Sequence, residues 1–189
     1  MAISARRMQY SVADHVRVEE HSNVKHQYFA GEMFAVAGGT PEHARLAAAV
    51  ITILGVQLAR LPRRCAVFTS DARVRVAATG LTTCPDVSVV CGKVQRDADD
   101  ALAMVNPVRL VEVLSPATQA YDLTTKLEHY QLVPTLNAVV FVFQERPHVE
   151  VVERAADAWS TRSADAGDRI RAECLDCELD VDALYASPG

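Results

Sequence analysis

The sequence predicts an α/β fold, a mixed central sheet flanked by helices with an added antiparallel β region. Three observations carry that expectation. Leu46, Val50, Ile53, Leu54, Leu58 and Leu61 recur at helical spacing and mark one buried helix face. The segments 85–91, 107–114 and 137–143 are apolar almost without interruption, as strands covered on both faces are. Beyond the turn at Arg146-Pro147, the segments 148–153, 159–163 and 170–179, with turn residues at 165–168, read as an outer antiparallel set.

In chain order, Ser11-Val12-Ala13-Asp14 has the spacing of a capping box and opens a short helix that fades near His21-Ser22-Asn23. Residues 28–37 read as a hairpin turning at Ala30-Gly31. Gly38-Gly39 break it, and Thr40 and Pro41 suit the N-cap and first position of the long helix. Pro62-Arg63-Arg64 end that helix. Strands over 65–69 and 73–77 follow, and in the second Val74 and Val76 alternate with Arg73 and Arg75, giving one apolar and one basic face. Asp97, Asp99 and Asp100 lie in a loop between two central strands, expected to be a solvated connection. Ser115-Pro116 end the second of those strands, and Asp122 suits the cap of a helix carrying Leu123, Lys126, Leu127 and Tyr130.

With 189 residues and no repeat, linker or low-complexity block, the expectation is a single domain over 1–189. Half the residues are hydrophobic and 23% are charged, which is ordinary for a globular protein. A formal net charge of -5 argues against a protein that wraps nucleic acid with its whole surface, and leaves room for a local basic groove. Arg6 and Arg7 are followed by Met8-Gln9-Tyr10-Ser11 instead of an apolar run, so no export signal is expected. The helix over 46–61 is interrupted by Gln57 and Arg60 and is too short to span a bilayer. The expected location is the cytoplasm, with no membrane association and with the five cysteines as reduced thiols. Cys174 and Cys177 read as two small residues near a terminal strand, since zinc would need two further ligands beside them.

Two carboxylates stand out. Asp86 begins one apolar strand and Glu112 lies within the next, where a carboxylate needs a metal, a lysine or a proton as partner. On neighbouring strands the two can approach within a few ångströms. At about 4 Å, two like charges repel by roughly 4 kcal/mol at an effective dielectric near 20. A divalent metal reverses that sign, and an oxygen-rich site suits magnesium or manganese. Such a metal can activate water and stabilise charge during in-line displacement at a phosphodiester. Lys126, on the helix after the Glu112 strand, can fold back to orient the nucleophile or stabilise the developing charge. A buried ion pair of the carboxylates with Lys126 or an arginine is the structural reading of the same residues.

Cys84-Pro85-Asp86 with Val111-Glu112-Val113-Leu114 resembles the PD-(D/E)XK nuclease pattern. More pieces fit a narrower match: Gly31-Glu32 with the downstream His43, then Ser70-Asp71-Ala72-Arg73-Val74-Arg75-Val76, then Pro85-Asp86-Val87. After these come Val111-Glu112-Val113-Leu114-Ser115-Pro116 and Tyr121-Asp122 with Lys126 and Tyr130. In order and spacing, over most of the chain, they resemble the Uma-type "putative restriction endonuclease" family. The resemblance implies a restriction-endonuclease-like fold, a magnesium-dependent phosphodiesterase site and DNA as substrate. It also implies that the lysine usual two positions after the glutamate, where this chain has Leu114, has moved to the following helix as Lys126. Two positions depart from the family pattern: Gln27 where a glutamate is usual, and Ala30 where an acidic residue is usual. Gln27 can offer an amide oxygen to water or metal, without the charge or basicity of a carboxylate.

The expected catalytic set is Asp86, Glu112 and Lys126, with Asp86 and Glu112 holding Mg2+ or Mn2+. Gln27 or Glu32 is the candidate to complete the metal's surroundings. His43 and Asp71 are accessory candidates, their plainer readings being a capping or packing histidine and a charged turn. Arg60, Arg63, Arg64, Arg73 and Arg75 are five positive charges against Asp71 alone, a local balance of +4. They are the candidate DNA contacts, of little base specificity, or else an ordinary solvated face. A homodimer would suit a nuclease that cuts two strands. The departures at Gln27 and Ala30 motivate an alternative, a catalytically impaired member that binds nucleic acid or assembles with a partner.

Overall fold

The computed structural model describes residues 9–36, 38–156 and 158–186, and of Cys174 only the backbone. The expected capping box opens α1 (Val12–His21): Ser11 Oγ accepts from the Asp14 N–H at 3.1 Å, and the Asp14 carboxylate accepts from the Ser11 N–H at 2.9 Å. Strands β1 (His26–Phe29) and β2 (Glu32–Ala35) form the predicted hairpin. Ala30 and Gly31 turn it with φ of 50° and 85°, and two successive positive φ values match the twist of the flanking strands. Ala37, expected at the end of this hairpin, lies outside the described residues. Helix α2 (Pro41–Leu58) begins as predicted, with Thr40 Oγ1 accepting from the His43 N–H at 3.1 Å and proline at the first helical position.

The chain continues through β3 (Cys65–Thr69), β4 (Arg73–Val76), β5 (Leu81–Thr83), β6 (Val87–Cys91), β7 (Ala103–Met104) and β8 (Arg109–Leu114). Helix α3 (Gln119–Tyr121), a π-helical segment (Asp122–Lys126) and α4 (Leu127–Gln131) then form one crossover. Strands β9 (Ala138–Phe143), β10 (His148–Ala155), β11 (Ala158–Asp165), β12 (Arg169–Ala172) and β13 (Cys177–Asp180) follow, with α5 (Val181–Tyr185) last.

Six strands make the central mixed sheet in the order β11-β10-β9-β8-β6-β3. Its one parallel pair is β8 with β9, which the helical crossover joins as parallel pairing requires. A five-stranded sheet, β2-β1-β5-β4-β7, and the β12–β13 ribbon complete the strands. The predicted central sheet and antiparallel additions are present. The division into two large sheets goes beyond the sequence reading: the chain turns after Thr69, where the Ala72 N–H donates to the Thr69 carbonyl, and enters a different sheet at β4.

Alternation along the strands assigns the two faces of the central sheet. Val87, Val89, Val111, Val113, Val140 and Val142 pack on Leu46, Val50, Leu54 and Leu58 of α2, together with the β12–β13 ribbon and α5. Leu110, Leu114, Val139, Phe141 and Phe143 point the other way, onto Tyr130, Val133 and Leu136 of the crossover region and Val74, Val76 and Leu81 of the second sheet. Fully burying a side chain of this size is worth roughly 1.5–3 kcal/mol. β8 is buried along its whole length between these layers. Glu112 is therefore enclosed on most sides, and it faces the crossover.

Two expectations need correction. Cys65 and Cys91 stand opposite each other across β3 and β6, with Cα atoms 4.0 Å apart, and are joined as a disulfide instead of lying reduced. Directly opposed residues of an antiparallel pair come close enough for that bond. The acidic loop is not simply solvated. Asp100 is 1% exposed and binds the Arg73 guanidinium through both oxygens at 3.0 Å, while Asp97 lies 3.3 Å from Arg75. Cys177 is a small buried residue on β13, as expected. No described helix is long and apolar enough to cross a membrane.

Candidate active site

Register brings the carboxylates together. Val87 pairs with Val111 across β6 and β8, so the residue before one and the residue after the other, Asp86 and Glu112, are neighbours. Asp86 Oδ2 accepts the Val113 N–H at 2.7 Å, which fixes its carboxylate against the edge of β8. His43, in the first turn of α2, places Nε2 3.3 Å from the same oxygen. Gly39 allows that approach, because a Cβ at this position would stand 2.6 Å from His43 Nδ1. The hydrogen bond to Asp86 raises the His43 pKa above the ordinary imidazole value despite burial, and the charges of Asp86 and Glu112 act in the same direction.

Glu112 is 4% exposed. Its Oε1 accepts from the Tyr130 hydroxyl at 2.6 Å and lies 2.9 Å from Lys126 Nζ, which also donates to Asp122 Oδ1 at 3.1 Å. Asp122, Lys126 and Tyr130 follow one another at intervals of four, so a single face of the crossover presents carboxylate, ammonium and phenol to β8. Burial pushes the Glu112 carboxyl up, to about 7; Asp86 and Asp122 push the same way, while Lys126 and Tyr130 pull back. Burial opposes charge on Lys126, but Glu112 and Asp122 outweigh it and raise its pKa, so the side chain is a cation at neutral pH. Tyr130 is raised well above the usual phenol value by burial and then by Glu112, and remains a protonated donor. Burial likewise pushes the Cys84 thiol up to about 11, which removes it as a nucleophile at neutral pH.

The bonds at each carboxylate fall on one oxygen, Oδ2 of Asp86 and Oε1 of Glu112. Two carboxylates held in this way, each with its other oxygen uncommitted among the described residues, fit magnesium, which is bound through one or two carboxylates and keeps several waters. Among the described residues no three His, Cys, Asp or Glu groups converge on one metal position. The donor set therefore suits a partly hydrated ion better than a closed cage of the structural-zinc type.

Other predicted residues fall into place unequally. Gln27 Nε2 donates to the Tyr121 hydroxyl, and the Thr83 hydroxyl lies between Gln27 Oε1, at 3.3 Å, and the hydroxyl of Tyr130. Gln27 is thus linked to Glu112 through Thr83 and Tyr130. Glu32 shares the hairpin face of Gln27 but pairs with Phe29 at the turn end, roughly 7 Å further along the strand. Asp71 is committed to Lys25 Nζ at 2.6 Å and is not drawn to the carboxylate pair. Asp122 does not cap the start of the helix: the N-cap is Thr118, and Asp122 is a buried partner of Lys126. Sequence reasoning missed that role, although the intervals of four from Asp122 to Lys126 and Tyr130 were its signal.

The five arginines do not form one basic surface. Arg73 is bound by Asp100 and lies 3.6 Å from Glu19, and Arg75 is bound by Asp97, the Gly80 carbonyl and Thr82. Arg60, Arg63 and Arg64 lie beyond the other end of β3, whose five residues span roughly 17 Å. That end pairs with Cys91, the end of β6 remote from Asp86. The local balance of +4 is accordingly offset by Glu19, Asp97 and Asp100.

A mixed sheet with an aspartate at the entry of one strand, a glutamate on the next and an ammonium group from the crossover is the arrangement of a restriction-endonuclease-like fold. Residues 12–183 match the Uma2 family, described as "Putative restriction endonuclease", and the chain belongs to that family. It is 30% identical over 176 residues to "Uncharacterized protein slr1290" of Synechocystis sp., covering 93% of this chain and 90% of that one. It is 26% identical over 147 residues to "Uncharacterized protein sll1609" of the same organism, covering 78% and 82% of the two chains. The fold is shared with the crystal structure of "a putative nuclease belonging to DUF820" from Anabaena variabilis, at a TM-score of 0.69 and 14% identity over 87% of this chain and 91% of that one.

Proposed function

We propose that this protein hydrolyses phosphodiester bonds of DNA in a reaction that depends on a divalent metal. The observation that carries this reading is the pairing of Asp86 and Glu112 across β6 and β8, with Lys126 Nζ 2.9 Å from Glu112. Asp86 and Glu112 would hold Mg2+ or Mn2+, and the bound ion would supply Lewis acidity and a lowered pKa for water.

The chain's own residues do the positioning. The Val113 N–H and His43 fix the Asp86 carboxylate, and Tyr130 and Lys126 fix that of Glu112. Lys126, held as a cation, is suited to donate to an oxygen that gains negative charge at phosphorus, and unsuited to remove a proton from water. Asp122 keeps the ammonium in place from its other side. Two copies in a symmetric dimer would supply one such site to each strand of a duplex.

Nicking of supercoiled plasmid in magnesium or manganese tests the reading. Activity is expected for the native chain and not for Asp86→Ala or Glu112→Gln; activity that survives both substitutions would remove these residues from the mechanism. Gln27 favours a second reading, a protein that retains DNA without cleaving it, because an amide engaged with Tyr121 and Thr83 stands where the family usually has a carboxylate. That reading predicts DNA retention with no cleavage in any divalent metal.

A further inference from the structure

A groove of about 160 Å3 is lined by Leu114, Gln119, Phe143, Gln144, Glu145 and Arg146. It lies at the end of the parallel β8–β9 pair, where the Gln144 N–H donates to the Leu114 carbonyl at 3.2 Å. Leu114 follows Glu112 by two residues on the same sheet face, a backbone spacing of roughly 7 Å along the strand. Against a rise of about 3.4 Å per nucleotide along one strand, that spacing corresponds to about two nucleotides.

The groove carries its own polar groups. The Arg146 guanidinium is stacked over the Phe143 ring, 5.4 Å from its centroid, and has no ion-pair partner among the described residues. Glu145 is the one carboxylate in the lining; it is exposed and makes no described ion pair with Arg146. Gln144 Oε1 is buried without a hydrogen-bond partner among the described residues, although buried polar atoms are nearly always satisfied. The turn that presents them is fastened by Tyr185, whose hydroxyl is 2.6 Å from the Phe143 carbonyl and 2.9 Å from that of His148.

We infer that this groove is a nucleotide subsite flanking the cleavage position, in which Arg146 holds a backbone phosphate. The inference rests on the phosphodiesterase reading and supplies the basic contact that Arg73 and Arg75, bound to Asp100 and Asp97, do not offer. A stacked guanidinium is pre-ordered for phosphate, so little side-chain freedom is lost on binding.

The test is fluorescence anisotropy of a short labelled duplex, in EDTA, over a salt series, with native protein, Arg146→Ala, Arg146→Lys and Lys93→Ala, an exposed lysine beyond the end of β6 remote from Asp86. Loss of one phosphate contact reduces the slope of log K against log salt by about 0.9. Arg146→Ala is expected to show that reduction with several-fold weaker binding, Arg146→Lys to keep the slope, and Lys93→Ala to match the native protein. Native-like slope and affinity in Arg146→Ala overturn the subsite and leave the phosphodiesterase reading intact. Failure of the native protein to retain DNA at any salt overturns the subsite, while the phosphodiesterase reading is decided separately by the plasmid-nicking assay.

Discussion

Lys126→Met separates the carboxylate network from its cation while keeping the volume of the side chain. In the native protein Lys126 Nζ lies 2.9 Å from Glu112 and 3.1 Å from Asp122, and all three side chains are at most 8% exposed. Removing one partner of a buried pair leaves an uncompensated charge and costs about 3–5 kcal/mol. For a chain of this size each kcal/mol lowers Tm by about 2–4 °C, so a loss of roughly 10 °C is expected at pH 8. The loss should shrink as the pH falls. Burial already pushes Glu112 up to about 7, and without the ammonium group it rises further. The folded state then takes up a proton well above the unfolded value of about 4.3, and stability recovers as pH falls between the two. Urea unfolding at pH 8 and pH 5.5, in EDTA, measures both terms, and Glu112→Gln in the same background should restore part of the loss. A cost below about 1 kcal/mol that is equal at the two pH values would refute the buried network.

The Arg73–Asp100 pair supplies a second pH dependence. Burial opposes ionisation of Asp100, yet Arg73 and the Leu102 N–H lower its pKa on balance. It therefore stabilises the fold above the unfolded value of about 3.9 and loses that contribution as pH falls through the lower folded value. Asp100→Asn should cost about 1.5–3 kcal/mol at pH 7 and flatten the acid limb of a Tm–pH curve. The Cys65–Cys91 disulfide closes a loop with a sequence separation of 26, so Cys65→Ser with Cys91→Ser, or reduction, should cost about 3 kcal/mol in chemical denaturation. In Gly39→Ala the new Cβ displaces the His43 ring from Asp86, and the His43 pKa, followed by NMR, should fall toward the usual value of about 6.5.

Much of the fold was legible because it is written locally. The Ser11–Asp14 box, the Ala30-Gly31 turn, the Thr40-Pro41 start and the continuous apolar strands each depend on residues a few positions apart. The Asp86–Glu112 pairing was legible for a related reason: two apolar strands close in sequence, each carrying one carboxylate, are natural neighbours. What stayed hidden depends on register or on distant partners. Cys65 meets Cys91 only because β3 pairs antiparallel with β6 at that offset. Arg73 and Arg75 look like a basic face until the loop after β6 folds back and delivers Asp100 and Asp97. His43 reaches Asp86 because α2 crosses the sheet at its N-terminal end with Gly39 giving it room, which no spacing in the sequence encodes.

The displaced lysine changes the character of the site. Leu114 occupies the strand position two beyond Glu112 and is buried in the layer with Tyr130, Phe141 and Phe143, so an ammonium group there would meet apolar surroundings. Arriving from the crossover instead, Lys126 brings Asp122 with it as a second carboxylate. With Asp86, Glu112 and Asp122 ionised against Lys126, the formal charge is three negative and one positive, a balance of -2. Neutralising that excess is what both titratable shifts favour: the Glu112 carboxyl and the His43 imidazole are each displaced toward holding a proton. A divalent cation carries the charge that balances the same excess. Under the proposed function, a lysine on the helix would therefore supply a fixed cation while leaving the carboxylates negative enough to hold a metal.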